Sequence, residues 1–375
     1  MRASLGRLLY LLGLPALLLL LLFPARVWFA REGLRWLYIL LFSSLLSFLL
    51  VRPIRAFAQR RGIVDRPDER KLHGGPTPLL GGLAVYLAFV VSLLANSILT
   101  PAVVGLLVAG TGVLVISLID DIRPLTASVK LGAMILATGV VIASGISLRL
   151  FPIQTLWGQG LNVLLTVLWI VGLTNAMNFF DGMDGLAAGL AAIAAVFLCA
   201  IAYQSQQVFL GWVAAAVLGS TLGFLPHNLR PGKQATIFLG DAGSNFLGFT
   251  LAAVAVLGEW AENRLVNVAA PLLIFGVFIY DMVYITVDRV LAGRVSSVKE
   301  WVEYVGRDHL HHRLEILLGS QEHAVLLICS LSSALSAGAL VILMASPASA
   351  FLLIVQAVAI LLMVSVLERS GRGSA

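Results

Sequence analysis

The sequence predicts an all-α polytopic membrane protein, and three observations carry that prediction. Of 375 residues, 59% are hydrophobic and only 12% are charged. Mean hydropathy is +0.98, more apolar surface than a soluble domain could hide, since roughly half of a globular surface is already apolar. Apolar runs of about 20 residues, the length that crosses a bilayer, recur along the chain with polar residues gathered between them.

The first run, 8–23, follows Arg2 and Arg7. No small-x-small cleavage pattern follows it, so it reads as an uncleaved helix and not as a signal peptide. Arg26, Arg31 and Arg35 make a basic linker after it. Residues 1–35 are therefore set apart from a membrane-embedded domain at 36–375. A second span at 36–51 leads into a loop with Arg52, Arg55, Arg60, Arg61, Arg66, Arg70 and Lys71. Such a basic loop belongs in the cytoplasm. Further spans are expected at 79–98, 103–119, 131–148, 161–176, 186–203 and 209–225. The remaining spans are expected at 244–257, 268–287, 324–344 and 351–367, which makes about twelve helices in all.

Alternation from the basic loop brings Asp120, Asp121 and the stretches 175–185, 227–241 and 289–322 to the cytoplasmic face. Beyond the first span, the other face keeps only Arg149, Glu259, Glu262 and Arg264. The chemistry is thus expected at one membrane surface. The +6 net charge follows from that asymmetry and calls for no nucleic acid. Cys199 and Cys329 lie in apolar runs without zinc or disulfide spacing.

The central stretch is Asn-Ala-Met-Asn-Phe-Phe-Asp-Gly-Met-Asp-Gly, 175–185. Acids between apolar spans are costly and functional by default. The glycines favour a helix break, with Asp181 and Asp184 crowning the helix end. Paired acids with supporting Asn175 and Asn178 suit a divalent metal or a nucleotide, or else a polar interhelical network. Asp120 and Asp121 end a helix, where the dipole opposes acids, so capping does not explain them, although a salt bridge to Arg123 would. Asp241 lies in Gly-Asp-Ala-Gly-Ser where a helix begins. The backbone N–H groups there are read as a phosphate cradle, with an N-cap as the plainer alternative. Arg70–Gly82 is a tight turn carrying Lys71 and His73, or simply a positive-inside loop. In Gly-Arg-Asp-His-Leu-His-His, His309 and His312 are expected on one helical face. Without cysteines and with basic neighbours, the three histidines suit phosphate better than zinc.

In order, these motifs are Asp-Asp, then NxxNxxDGxDGL, then FLGDAGS, then HLHHRL. The chain resembles the polyprenyl-phosphate N-acetylhexosamine-1-phosphate transferase family (the WecA/TagO type, related to MraY) over about 37–368. The resemblance implies a core of about eleven transmembrane helices, with 8–23 as one extra N-terminal helix. It implies that Asp120 and Asp121 are the catalytic pair, joined by Asp181 and His309. It implies that Asp241 and Asn178 lie at a Mg²⁺ site, which Mn²⁺ would also suit. Asp184, Asn228 and Phe238 are implied at the nucleotide, with Phe238 stacking on uracil. Lys71, Lys130, Arg307, His311 and His312 are implied near the phosphates.

The implied substrates are a UDP-N-acetylhexosamine and polyprenyl (undecaprenyl) phosphate, met at a bacterial inner membrane with the active-site loops cytoplasmic. The implied product is a lipid-linked diphosphate sugar that initiates an envelope polysaccharide. A homodimer is compatible with all of this, although no residue demands one. HLHH resembles the N-acetylglucosamine enzymes. By contrast, the Gly-Arg-Ser-Pro-Phe run frequent in the family is replaced here by Gly-Arg-Val-Ser-Ser-Val.

The parts suit the chemistry. A lipid phosphate attacks the β-phosphorus of the UDP-sugar and UMP leaves. A phosphate monoester has a second pKa near about 6 and is largely ionised already, so direct displacement is favoured, with a covalent phospho-aspartate as the competing mechanism. Two other classes compete with this one. A UbiA-like prenyltransferase wants D-x-x-x-D motifs, whereas Asp181 and Asp184 are D-x-x-D. An ion-coupled transporter draws its best argument from Asp281 inside an apolar span, but no internal repeat accompanies it.

Overall fold

The computed structural model describes residues 2–65, 75–304 and 306–372. It opens with α1 (Arg2–Leu21) and α2 (Phe23–Arg31), which meet at 73°. Pro24 in the first turn of α2 suits a helix start, so the expected basic linker is a second short helix. Next come α3 (Arg35–Arg61) and a small antiparallel pair, β1 (Val64–Asp65) with β2 (Thr77–Pro78). That pair is the one departure from an all-helical chain among the described residues. The bundle continues with α4 (Gly81–Ala95), α5 (Pro101–Ile122), α6 (Ala127–Ala143), α7 (Leu156–Phe179), α8 (Leu186–Gln204), α9 (Val208–Asn228) and α10 (Gly240–Leu257). Then follow α11 (Arg264–Ile274), α12 (Gly276–Leu291), α13 (Val298–Glu303), α14 (Leu310–Leu318), α15 (Gln321–Ile342) and α16 (Pro347–Arg372).

Among the described residues, eight helices are long and apolar enough to cross a membrane, or ten if each bent pair counts as one span. Helices α4 and α6 fill two of the expected spans. At 15 and 17 residues they fall short of full span length, so the expected twelve become eight to ten. The expected span at 268–287 is also broken: α11 and α12 meet at 78° around Phe275. Pro271 withholds an N–H near the end of α11, and Gly276 begins α12.

Helix starts are sequence-coded. Thr100 Oγ1 accepts from Val103 N–H with Pro101 in the first turn, and Thr155, Asn263 and Ser320 cap their helices in the same way. Inside the apolar runs, hydroxyls turn back on their own helices: Thr138, Thr166, Thr174 and Thr221 each donate to the carbonyl four residues earlier. No free polar group is thereby left facing hydrocarbon at these positions.

Helix α10 is the centre of the molecule, buried along nearly its whole length and packed on α4, α5 and α7. Small residues permit that approach. A Cβ on Gly82 of α4 would lie 2.2 Å from the Gly243 Cα and N of α10. Asn245 Nδ2 donates to Ser117 Oγ at 3.0 Å, tying α10 to α5. The start of α10 is thereby brought to the same end of the bundle as the ends of α5, α7 and α9 and the start of α8.

Candidate active site

A cavity of about 600 Å³ opens at that end, and the motifs converge on it. Asp120, Asp121 and Lys130 line one side. Asp181 and Asp184 come from the α7–α8 loop, Asn228 from the end of α9, Phe238 from the irregular segment after it, and Asp241 from the start of α10. Arg307, in the loop before α14, and His312, in the first turn of α14, also line it. The helix break expected at 175–185 is present: α7 ends at Phe179, and α8 starts after Gly185 in the left-handed region, φ 80°.

The acids have separate roles. Asp121 Oδ1 accepts the Asp241 backbone N–H at 2.9 Å and its Oδ2 accepts Ala242 N–H at 3.1 Å. An acid from α5, over a hundred residues away, therefore caps α10. This corrects the reading of those N–H groups as a phosphate cradle, since they are already taken. It also explains Gly240, whose φ is +75° and where a Cβ would come within 2.9 Å of Asp121 Oδ2. Gly243 is explained by its contact with Gly82, so the glycines around Asp241 serve the cap and the packing.

Asp120 does not pair with Arg123 as the sequence suggested. Its Oδ2 binds Lys130 Nζ at 2.7 Å and its Oδ1 accepts Leu125 N–H at 2.7 Å. Lys130 also lies 3.4 Å from Asp241 Oδ2. Asn178 donates through Nδ2 to Asp241 Oδ1 and to Ser244 Oγ, both at 3.0 Å. Asn178 thus meets Asp241 as a hydrogen-bond donor. Asp184 accepts Ala235 N–H at 2.7 Å. Asn228 bonds Gly185 N–H and Ile237 O, which pins the loop beside the cavity. Burial, then the charges of Asp241, Asp121 and Asp184, push the Asp181 carboxyl well above the usual carboxylate range.

His309, expected to share a helical face with His312, instead precedes the helix with extended backbone, φ −68° and ψ 153°. Its Nδ1 lies 2.7 Å from Asp281 Oδ2, and its ring packs on Phe179 at 4.6 Å. His311 is buried beside Phe180, and neither of its ring nitrogens has a partner among the described residues. Burial, then His312, His309 and Arg313, hold its pKa well below the usual imidazole range. Lys71 and His73 lie outside the described residues.

Sequence reasoning missed how the histidine loop is anchored. Arg289 of α12 grips Asp308 through two 2.7 Å hydrogen bonds and lies over the Tyr304 ring at 4.3 Å. Burial works the other way, but these Arg289 bonds hold the Asp308 carboxyl below its usual value. The lone acid inside an apolar run, Asp281, was the available signal; Arg289, just past the run, gave none. Asp281 pairs with His309, which removes the best argument for a transporter.

No group of three or more His, Cys, Asp or Glu stands at metal-binding geometry among the described residues. The donor chemistry is nevertheless that of a hard cation. Asp120, Asp121, Asp181 and Asp241 share one cavity wall, and Lys130 offsets only part of their charge.

Residues 103–259 match the family described as Glycosyl transferase family 4. The Bacillus subtilis (strain 168) protein named "Probable undecaprenyl-phosphate N-acetylglucosaminyl 1-phosphate transferase" is 33% identical over 305 residues, covering 80% of this chain and 83% of the relative. The "Decaprenyl-phosphate N-acetylglucosaminephosphotransferase" of Mycobacterium tuberculosis (strain CDC 1551 / Oshkosh) is 32% identical, covering 76% and 77%. A "Phospho-N-acetylmuramoyl-pentapeptide-transferase" from Rubrobacter xylanophilus is 28% identical, covering 79% and 90%.

Proposed function

Since this chain belongs to glycosyl transferase family 4, as a polyprenyl-phosphate N-acetylhexosamine-1-phosphate transferase, we propose that it transfers N-acetylglucosamine-1-phosphate from the UDP-sugar to undecaprenyl phosphate. The observation that carries the reading is the meeting of Asp120, Lys130, Asp181, Asp241, Phe238 and His312 in one cavity at one end of the bundle. The nucleotide sugar is too polar for a bilayer and reaches that cavity from the cytoplasm. The lipid arrives sideways. An apolar cavity of about 780 Å³ between α12 and α16, with Tyr284 and Asp288 among its lining, supports that route.

In the reaction an oxygen of the lipid phosphate bonds to the β-phosphorus, the bond to the α-phosphate oxygen breaks, and UMP leaves. Such transfers depend on positioning and charge neutralisation more than on covalent help. Lys130 and Arg307 supply fixed positive charge at the cavity, and Phe238 offers a ring face to uracil. Asp184, in the same cavity, is assigned to the nucleotide. Both oxygens of Asp121 and both of Asp120 are already held by hydrogen bonds. That favours direct displacement over a phospho-aspartate, with Asp120 orienting Lys130 toward the phosphates. Asp241, with Asp181 beside it, would hold Mg²⁺ or Mn²⁺. When bound, that ion neutralises diphosphate charge and favours the departing UMP.

The test is UMP release by purified protein from a panel of UDP-sugars, with undecaprenyl phosphate and Mg²⁺ present. UDP-N-acetylglucosamine is expected to give the highest kcat/KM and a lipid-linked product. A clear preference for another UDP-N-acetylhexosamine overturns the sugar. No lipid product from any of them overturns the reaction.

A further inference from the structure

We infer that Asp281 is the positioning residue for His309: it fixes the ring's orientation and tautomer, so that Nε2 is the nitrogen offered to the substrate phosphates. The inference rests on the transferase reading for the word substrate, but its geometry stands alone. Asp281 is 1% exposed, within α12, and neither of its oxygens is idle. Oδ2 meets His309 Nδ1 at 2.7 Å, and Oδ1 accepts the Leu310 backbone N–H at 2.7 Å. A carboxylate only accepts, so Nδ1 carries the hydrogen. Nε2 is left to accept a proton from a phosphate oxygen or return one.

The other charged groups around His309 hold the loop or the carboxylate. Asp308 is clamped by Arg289, while Arg313 lies 3.8 Å from Asp281 Oδ1 and 3.0 Å from Glu368 on α16. His311 stacks near the His309 ring at 6.0 Å, and His312 follows it in the same turn. The arrangement follows the logic of an orienting acid behind a working histidine. The break between α11 and α12 sets the course of α12, which carries Asp281 and Arg289 to two consecutive residues of the loop, His309 and Asp308.

Asp281→Asn is the discriminating change. Leu310 N–H requires an acceptor, so the carboxamide oxygen takes the Oδ1 place and the NH₂ faces His309. Nδ1 must then accept, and the ring hydrogen moves to Nε2. In protein labelled with nitrogen-15 histidine, His309 is assigned by its loss in His309→Ala. The ring should show the Nδ1–H form in the native protein and the Nε2–H form in Asp281→Asn. The same variant should lose kcat by about 10²–10⁴-fold, the range for lost general acid–base help, with KM for the UDP-sugar unchanged. Added to His309→Ala, it should lose nothing more.

Native protein in the Nε2–H form overturns the inference, and that measurement needs no substrate and, beyond the His309→Ala spectrum used for assignment, no variant. So does an Asp281→Asn protein that loses activity with its tautomer unchanged, or losses that multiply in the double variant. The tautomer is read without any sugar or lipid, so failure of the sugar assignment leaves it standing.

Discussion

At Asp241 one carboxylate oxygen accepts from Asn178 and the other faces Lys130. Asp241→Asn keeps the shape and removes the charge. The expected outcome is a folded protein whose Mg²⁺-dependent turnover falls by about 10²-fold or more, as when one preorganised charge-stabilising group is lost. UMP release titrated with Mg²⁺ checks this, and near-native turnover at saturating Mg²⁺ would remove Asp241 from the metal. His311 makes a different prediction. Its folded pKa lies well below 6.5, so between that value and 6.5 the unfolded chain binds more protons than the folded one. The associated stability is fully present above 6.5 and is lost as pH falls through that window. His311→Phe fills the same buried place and removes two unpartnered nitrogens. Its Tm should fall less than the native Tm on acidification through this window, while transfer activity drops. An identical acid loss in both proteins would contradict the assignment.

Among the elements, α10 depends most on close approach. Gly82→Ala would drive a methyl group into the α10 backbone at Gly243. Overpacking of that kind costs about 1–3 kcal/mol, and the start of α10 that carries Asp241 would shift with it. Thermal unfolding should show a lowered Tm, with activity falling in parallel; a native Tm would show that α4 can move away freely. The broken α11–α12 pair was not legible in the sequence, because Pro271 and Gly276 lie in an apolar run that a straight helix would also satisfy. The bend shows in the tertiary structure, where α12 sets Asp281 against His309 and Arg289 against Asp308. The break at 175–185 was legible, because two Asp-Gly steps interrupt an apolar pattern that cannot continue through them.

For the whole molecule, orientation in the membrane decides from which side the nucleotide sugar enters. Ser128 is exposed in the first turn of α6, close to Lys130 and the cavity. With Cys199 and Cys329 replaced, a cysteine at Ser128 should react with impermeant maleimide in inside-out vesicles and not in intact cells. Labelling from outside alone would invert the molecule and rule out cytoplasmic entry of the nucleotide sugar.

Composition by itself determined the membrane class, because no folding of so apolar a chain in water could hide its surface. The four motifs, read in order, also carried the family. Chain order could not say which atom binds which. Asp121 finds its donors at Asp241 and Ala242, and His309 finds its acceptor at Asp281. Partners so distant in sequence are chosen by helix packing. The tertiary structure alone therefore decided that Asp121 caps, that Asn178 donates, and that the histidines are placed one by one instead of sharing a helical face.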